Sequence, residues 1–344
     1  MKEFKILFLQ HAQRGSYLEE PGHTEIVLPF KSQSAVSVDI REVVYQDLCK
    51  KYNNRGVNNS HINEINLEKE LLNRIKQSIS GPWKPNLVIV NRTFHSESLG
   101  PSILTSIKEI TRCKLAQFYF DHDEGNEFFL NDEKMDSIIS DINVQLDSIA
   151  RVHKIRNKSG IYADWGNNTS WIWSACPVQR NKFYFDKKRK GGIGVIGSLD
   201  GMRSECFNAL SMCGLKIVNG GGIMNKSKYL DEVQYAALMR SIDLSIIPLT
   251  MNHLHTDKPV DQIKGRVFQS IATRSTPIIQ ETPSAKMLFG NELITYKNMK
   301  ELINIVEIFK ENKKLSNDYS SFVYEKYNHY SSPSLILKNL ISLT

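Results

Sequence analysis

The sequence is poor in the features that crosslink a chain or carry it into a membrane. Its 344 residues include only five cysteines, Cys49, Cys113, Cys176, Cys206 and Cys213. The number is odd and no CxxC pair occurs, which argues against a disulfide framework and against a cysteine-based zinc site. Small buried apolar side chains are the simpler role for them. No apolar run approaches the ~18 residues that a membrane span requires. The opening stretch, Met1 to Gln10, holds an apolar segment too short for a secretory signal. The expectation is a soluble, cytoplasmic protein.

What is present suits globular cores. Aliphatic and aromatic residues make up 41% of the chain and charged residues 24%, which excludes a disordered chain or a coiled coil. The length is about twice the ~150 residues of a typical domain, so two domains are expected. Lysine and arginine number 44 against 37 acidic residues, a net charge of +7. That surplus permits a polyanionic partner such as DNA, or an anionic surface, without requiring one.

The apolar runs Phe4 to Leu9, Lys84 to Asn91 and Lys114 to Phe120 read as buried strands. Helical periodicity over Leu67 to Ile79 and Ile103 to Ile110 separates them. Alternation of this kind is the mark of a parallel α/β sheet. Arg151 to Lys190 breaks the pattern with Trp165, Trp171, Trp173, Pro177 and the basic run Lys187 to Lys190, and reads as an interdomain segment. The alternation then restarts, with strands at Gly192 to Ser198, Leu215 to Val218, Leu244 to Pro248 and Pro277 to Ile279. Helices are expected at Arg203 to Met212, Tyr229 to Arg240, Gly265 to Thr273 and Asn298 to Lys314. The predicted architecture is α/β, with two Rossmann-like domains facing a central cleft. Residues 1–185 form the first domain, 186–325 the second, and 326–344 a C-terminal helix that packs back on the first.

Several positions carry chemistry. Gly192, Gly194 and Gly197 match GxGxxG, but they lie inside a strand and no acid ends the next one, so close packing explains them better than a dinucleotide site. Gly197-Ser198 leads to Arg203 at a helix start, where backbone N–H groups and a guanidinium suit a phosphate. A surface arginine is the plain alternative. Lys264 and Arg266 follow a strand end, where open α/β sheets bind ligands, and Gln269 lies one turn further on, placed for a ribose. A solvated basic loop is the alternative there. His253 and His255 lack further partners at metal spacing. In the first half, Asp121 ends a strand, well placed as general base on an acceptor hydroxyl. Asp121 and Asp123 form an Asp-x-Asp, which elsewhere holds Mg2+ or Mn2+ on a diphosphate; an acidic loop is the alternative. His11 and Arg14 approach the same cleft from the acceptor side.

The ordered set Gly197-Ser198, Arg203, Tyr235 to Leu244, Lys264 to Ala272 and Pro277 to Ile279 resembles the donor domain of GT-B glycosyltransferases, over about 150 residues. The layout is most similar to the DNA β-glucosyltransferases of tailed bacteriophages, which move glucose from UDP-glucose to hydroxymethylcytosine in duplex DNA. The resemblance implies that Asp121 is the base of an inverting displacement and that Arg203 and Arg266 bind the diphosphate. It also implies a nucleotide sugar as donor, with no required cofactor. Where the family pattern has a ribose-holding Glu, this chain has Gln269, and Leu199-Asp200 replace an expected arginine, so a pentose donor stays open. A similar arrangement occurs in glycosyltransferases resembling spore-maturation and surface-polysaccharide enzymes, which makes a glycan the alternative acceptor. A non-catalytic nucleotide-sugar-binding module is the remaining reading.

Overall fold

A computed structural model describes residues 3–10, 26–32, 36–53, 60–92, 99–120, 127–165, 171–197, 201–219, 230, 232–251, 260–263 and 265–344. The chain divides into two compact units. The first comprises Met1–Leu146, Val152–Trp173 and Leu337–Thr344, the second Asp147–Arg151 and Ser174–Ile336.

Unit 1 contains strands β1 (Phe4–Gln10), β2 (Val38–Val44), β3 (Leu87–Arg92), β4 (Lys114–Tyr119), β5 (Ile142–Gln145) and β6 (Trp171–Trp173). Its helices are α1 (Leu28–Lys31), α2 (Gln46–Asn53), α3 (Ser60–Ser78), α4 (Gly100–Thr111), α5 (Glu127–Ile139) and most of α6 (Ile149–Arg156). The sheet runs β2-β1-β3-β4-β5-β6, with every pairing parallel. A parallel sheet is covered on both faces, so its central strands are continuously apolar rather than alternating. Ile6 to Leu9 of β1 and Leu87 to Val90 of β3 are accordingly all buried. On one face, Leu7, Leu9, Val88 and Val90 pack against Leu71 and Ile75 of α3 and Ile103, Leu104 and Ile107 of α4.

Unit 2 repeats the plan. Its strands are β7 (Ile193–Val195), β8 (Ile217–Val218) and β9 (Leu244–Ile247), a short antiparallel ribbon β10 (Thr250–Met251) with β11 (Val260–Asp261), then β12 (Thr276–Gln280) and β13 (Thr295–Tyr296). The helices are α7 (Gly201–Met212), α8 (Glu232–Ser241), α9 (Gly265–Ala272), α10 (Pro283–Phe289), α11 (Met299–Glu311), α12 (Lys313–Tyr327) and α13 (Pro333–Ser342), whose last turns count with unit 1. The parallel sheet reads β8-β7-β9-β12-β13. In both units the second strand therefore lies outside the first and the third lies on its other side. The strand order reverses between β1 and β3, and again between β7 and β9.

Three departures from the sequence reading are informative. Strand β2 was missed because Asp39, Arg41 and Glu42 interrupt its apolar residues, as suits an edge strand with only Ile40 and Val43 buried. Strand β5 and helix α5 were also missed. The segment Arg151 to Lys190 is not a linker throughout. Its first part completes α6 and supplies β6, where Trp171 is fully buried and stacks on Tyr119 with ring centroids 4.8 Å apart. Tryptophans and turns there look like a connection in sequence, yet they are the aromatic core at one end of the first sheet, with Trp165 and Tyr162.

Candidate functional site

In open parallel sheets the crevice beyond the carboxyl ends of the strands, where the strand order reverses, is the natural ligand position. In unit 2 that point lies between β7 and β9. Strand β7 runs out through Ile196 into Gly197, which has φ +121°, a conformation that side-chain-bearing residues rarely adopt. Two arginines close on this glycine. A Cβ placed on Gly197 would stand 2.6 Å from Nη1 of Arg266 and 2.8 Å from Nη1 of Arg203. Absence of a side chain is what lets both guanidinium groups reach the strand end.

Local sequence explains how each arginine gets there. Arg203 is the third residue of α7, whose Cys206 and Leu210 are buried against the sheet. Arg266 is the second residue of α9, which buries Val267, Phe268, Ser270, Ile271 and Ala272. The opposite face of that helix carries Arg266 and Gln269, three residues apart and hence neighbours on one side. Nη1 of Arg266 donates to the Ile196 carbonyl, which ties the guanidinium to the end of β7. Two positive groups this close repel, and an anion shared between them relieves the repulsion. Guanidinium is also the group best shaped to grip phosphate oxygens.

Gln269 is half-buried, and its Oε1 accepts a hydrogen bond of 2.7 Å from the hydroxyl of Tyr235 on α8. The Tyr235 ring meets Phe183 edge-on, with centroids 6.0 Å apart. Nothing in the sequence singled out Tyr235, because its partner comes from a different helix. Gly194 behaves as the packing argument expects: a Cβ there would come within 2.7 Å of Ile242. The basic run Lys187 to Lys190 is partly structural. Arg189 forms an ion pair with Asp243 at 2.7 Å and donates to the Arg274 carbonyl at 2.8 Å, and burial holds its pKa below the usual arginine range.

Of the predicted site residues, Arg203 and Arg266 are brought together at Gly197, and Gln269 lies one turn along α9 from Arg266. His11, Arg14, Asp121, Asp123, Ser198 and Lys264, with His253 and His255, lie outside the described residues. The backbone leading to Asp121 is well anchored: the Phe120 amide donates to the Arg92 carbonyl at 3.3 Å, and Arg92 forms a buried ion pair with Asp136 at 3.4 Å. Among the described residues, no cluster of three or more His, Cys, Asp or Glu side chains is placed to hold a metal ion. No described helix is long and apolar enough to cross a membrane.

No protein-family model and no curated protein sequence matches this chain. Solved structures do resemble it over nearly its full length. The catalytic domain of starch synthase IV from Arabidopsis thaliana, bound to ADP and acarbose, superposes with a TM-score of 0.65 at 9% identity, covering 99% of each chain. An alpha-glucosyltransferase in complex with UDP-glucose and DNA containing an abasic site gives 0.61 at 10% identity, again over 99% of each. UDP-GlcNAc 2-epimerase from Neisseria meningitidis bound to UDP-GlcNAc gives 0.56 at 9% identity, over 98% of this chain and 100% of the epimerase. Identities this low speak to architecture alone. The chain has the α/β fold of GT-B proteins, built from two parallel sheets with alternating helices.

Proposed function

We propose that the protein is a glycosyltransferase that takes a sugar from a nucleotide sugar, with UDP as the leaving diphosphate. The observation that carries this reading is the convergence of Arg203 and Arg266 on Gly197 where the strand order of unit 2 reverses. In the transfer, negative charge grows on the oxygen that leaves the anomeric carbon. Two guanidinium groups gripping the diphosphate stabilise that charge as the bond breaks. Asp121, following β4, serves in this reading as the base that takes the proton from the acceptor hydroxyl. Acceptor oxygen attacks the anomeric carbon as the diphosphate departs, so a single displacement inverts the anomeric centre. Asp123 would accompany a Mg2+ or Mn2+ ion if the transfer uses one.

For the acceptor we favour a hydroxymethylated pyrimidine in duplex DNA, as in phage DNA. The net charge of +7 supports it, as does the shared fold with an alpha-glucosyltransferase solved with DNA. The deciding experiment is a nucleotide-sugar panel incubated with hydroxymethylcytosine DNA and read by intact mass. Addition of a hexose or pentose mass supports the reading and identifies the donor. Donor hydrolysis without transfer to DNA points to a glycan acceptor instead, and UDP binding without hydrolysis points to a non-catalytic module. Asp121→Ala should abolish transfer while UDP still binds. A product with retained anomeric configuration, read from its NMR coupling constant, removes Asp121 from the role of base.

A further inference from the structure

We infer that Tyr235 is a specificity-determining residue that fixes the amide of Gln269, so that its NH2 reads the ribose of the bound nucleotide. This rests on the reading of Arg203 and Arg266 as a diphosphate seat. Gln269 follows Arg266 by three residues on the same face of α9, and Cβ atoms at that spacing are about 5–6 Å apart. That step is comparable to the distance from a bound diphosphate to the sugar it esterifies. The Tyr235 hydroxyl donates to Oε1 of Gln269 at 2.7 Å, which occupies the carbonyl end of the amide. Its NH2 end makes no hydrogen bond to another described residue. Tyr235 is itself braced by the edge of Phe183, so the clamp is held by packing as well as by the bond.

The consequence is chemical. A carboxylate at this position would offer acceptors to two hydroxyl donors. The clamped amide instead offers a neutral donor, which seeks a hydroxyl oxygen as acceptor. Without the Tyr235 hydroxyl the amide is free to rotate about its last bond and present either end. Recognition of the ribose hydroxyls then weakens while the diphosphate seat is untouched.

Calorimetric titration of the whole chain with UDP, 2′,3′-dideoxy-UDP and inorganic pyrophosphate tests this. In wild type, UDP should bind more tightly than the dideoxy form. Tyr235→Phe should lower UDP affinity about 3- to 10-fold, the span of one neutral hydrogen bond, with pyrophosphate and dideoxy-UDP unchanged. Gln269→Leu should show the same loss, and adding Tyr235→Phe to it should cost nothing further, because the tyrosine acts through the amide. Unchanged preference for UDP over dideoxy-UDP in Tyr235→Phe overturns the inference alone. An equal loss for pyrophosphate, or a Tyr235→Phe effect that persists in the Gln269→Leu background, marks a merely structural role and overturns it too. A wild-type protein that binds neither UDP nor pyrophosphate overturns the diphosphate seat and this inference together.

Discussion

Replacing Arg266 by methionine removes one guanidinium from the proposed diphosphate seat while keeping a long, apolar stem on α9. Hydrogen bonds to charged groups contribute about 1.5–3 kcal/mol each, so UDP affinity should fall roughly ten- to a hundredfold or slightly more. The structure predicts a second effect from the same substitution. Nη1 of Arg266 donates to the carbonyl of Ile196, a residue only 3% exposed. Losing that donor leaves the carbonyl with one partner fewer, at a cost of about 1–3 kcal/mol. The two effects separate by assay: urea unfolding reads the stability cost and calorimetry reads the affinity. Uridine is the control for the affinity loss, because it carries no phosphate and should bind both proteins alike. Arg266→Lys, which keeps the charge without the planar fork, should fall between wild type and Arg266→Met. The wild-type preference for UDP should also shrink as salt is raised, and the variant should be less salt-sensitive. If Arg266→Met binds UDP within twofold of wild type, or loses uridine as strongly as UDP, the phosphate reading of this arginine is wrong.

Other perturbations test neighbouring parts of the argument. Gly197→Ala forces a side chain into φ +121° and against both guanidinium groups, so it should cost about 1–3 kcal/mol in urea unfolding and weaken UDP binding at the same time. Asp136→Ala leaves the Arg92 charge buried without this carboxylate, at 3% side-chain exposure, and should destabilise the protein by about 3–5 kcal/mol; a loss under 1 kcal/mol would mean the pair is not formed. Arg74 beside Asp47 holds that carboxyl below the usual carboxylate range. A lowered folded-state pKa means the stabilisation is present above the unfolded value of about 3.9 and is lost as pH falls through the folded value. Wild type should therefore exceed Asp47→Asn by a few tenths to about 1 kcal/mol at pH 7, and the gap should close below about pH 4. A gap that stays constant between pH 7 and pH 3 would contradict the ion-pair assignment.

Element type was largely legible in the residues, while several positions in the sheets were not. Buried parallel strands such as β1, β3 and β9 announce themselves as short apolar runs because both faces are covered. Edge strands do not: β2 carries Asp39, Arg41 and Glu42 among its apolar residues, and β6 is three residues of tryptophan and isoleucine after a turn-rich stretch. The site was legible one residue at a time. Arg203 and Arg266 stood out because each opens a helix after a strand end, and Gln269 because it follows by one turn. The Tyr235 clamp left no mark in the sequence, since an isolated tyrosine on a helix has no signature until its partner on another helix is known.

By itself the sequence determined the α/β alternation, the two halves, and the residue types suited to a diphosphate, since these depend on local periodicity and on chemistry carried by single side chains. Only the tertiary structure decided the strand order. That order brings the end of β7 to the point of reversal, where two arginines distant in the chain meet over one glycine. It also turned a tryptophan-rich connection into the last strand of the first sheet. Both outcomes rest on long-range pairing, which depends on how buried surfaces fit together and leaves no periodic trace along the chain.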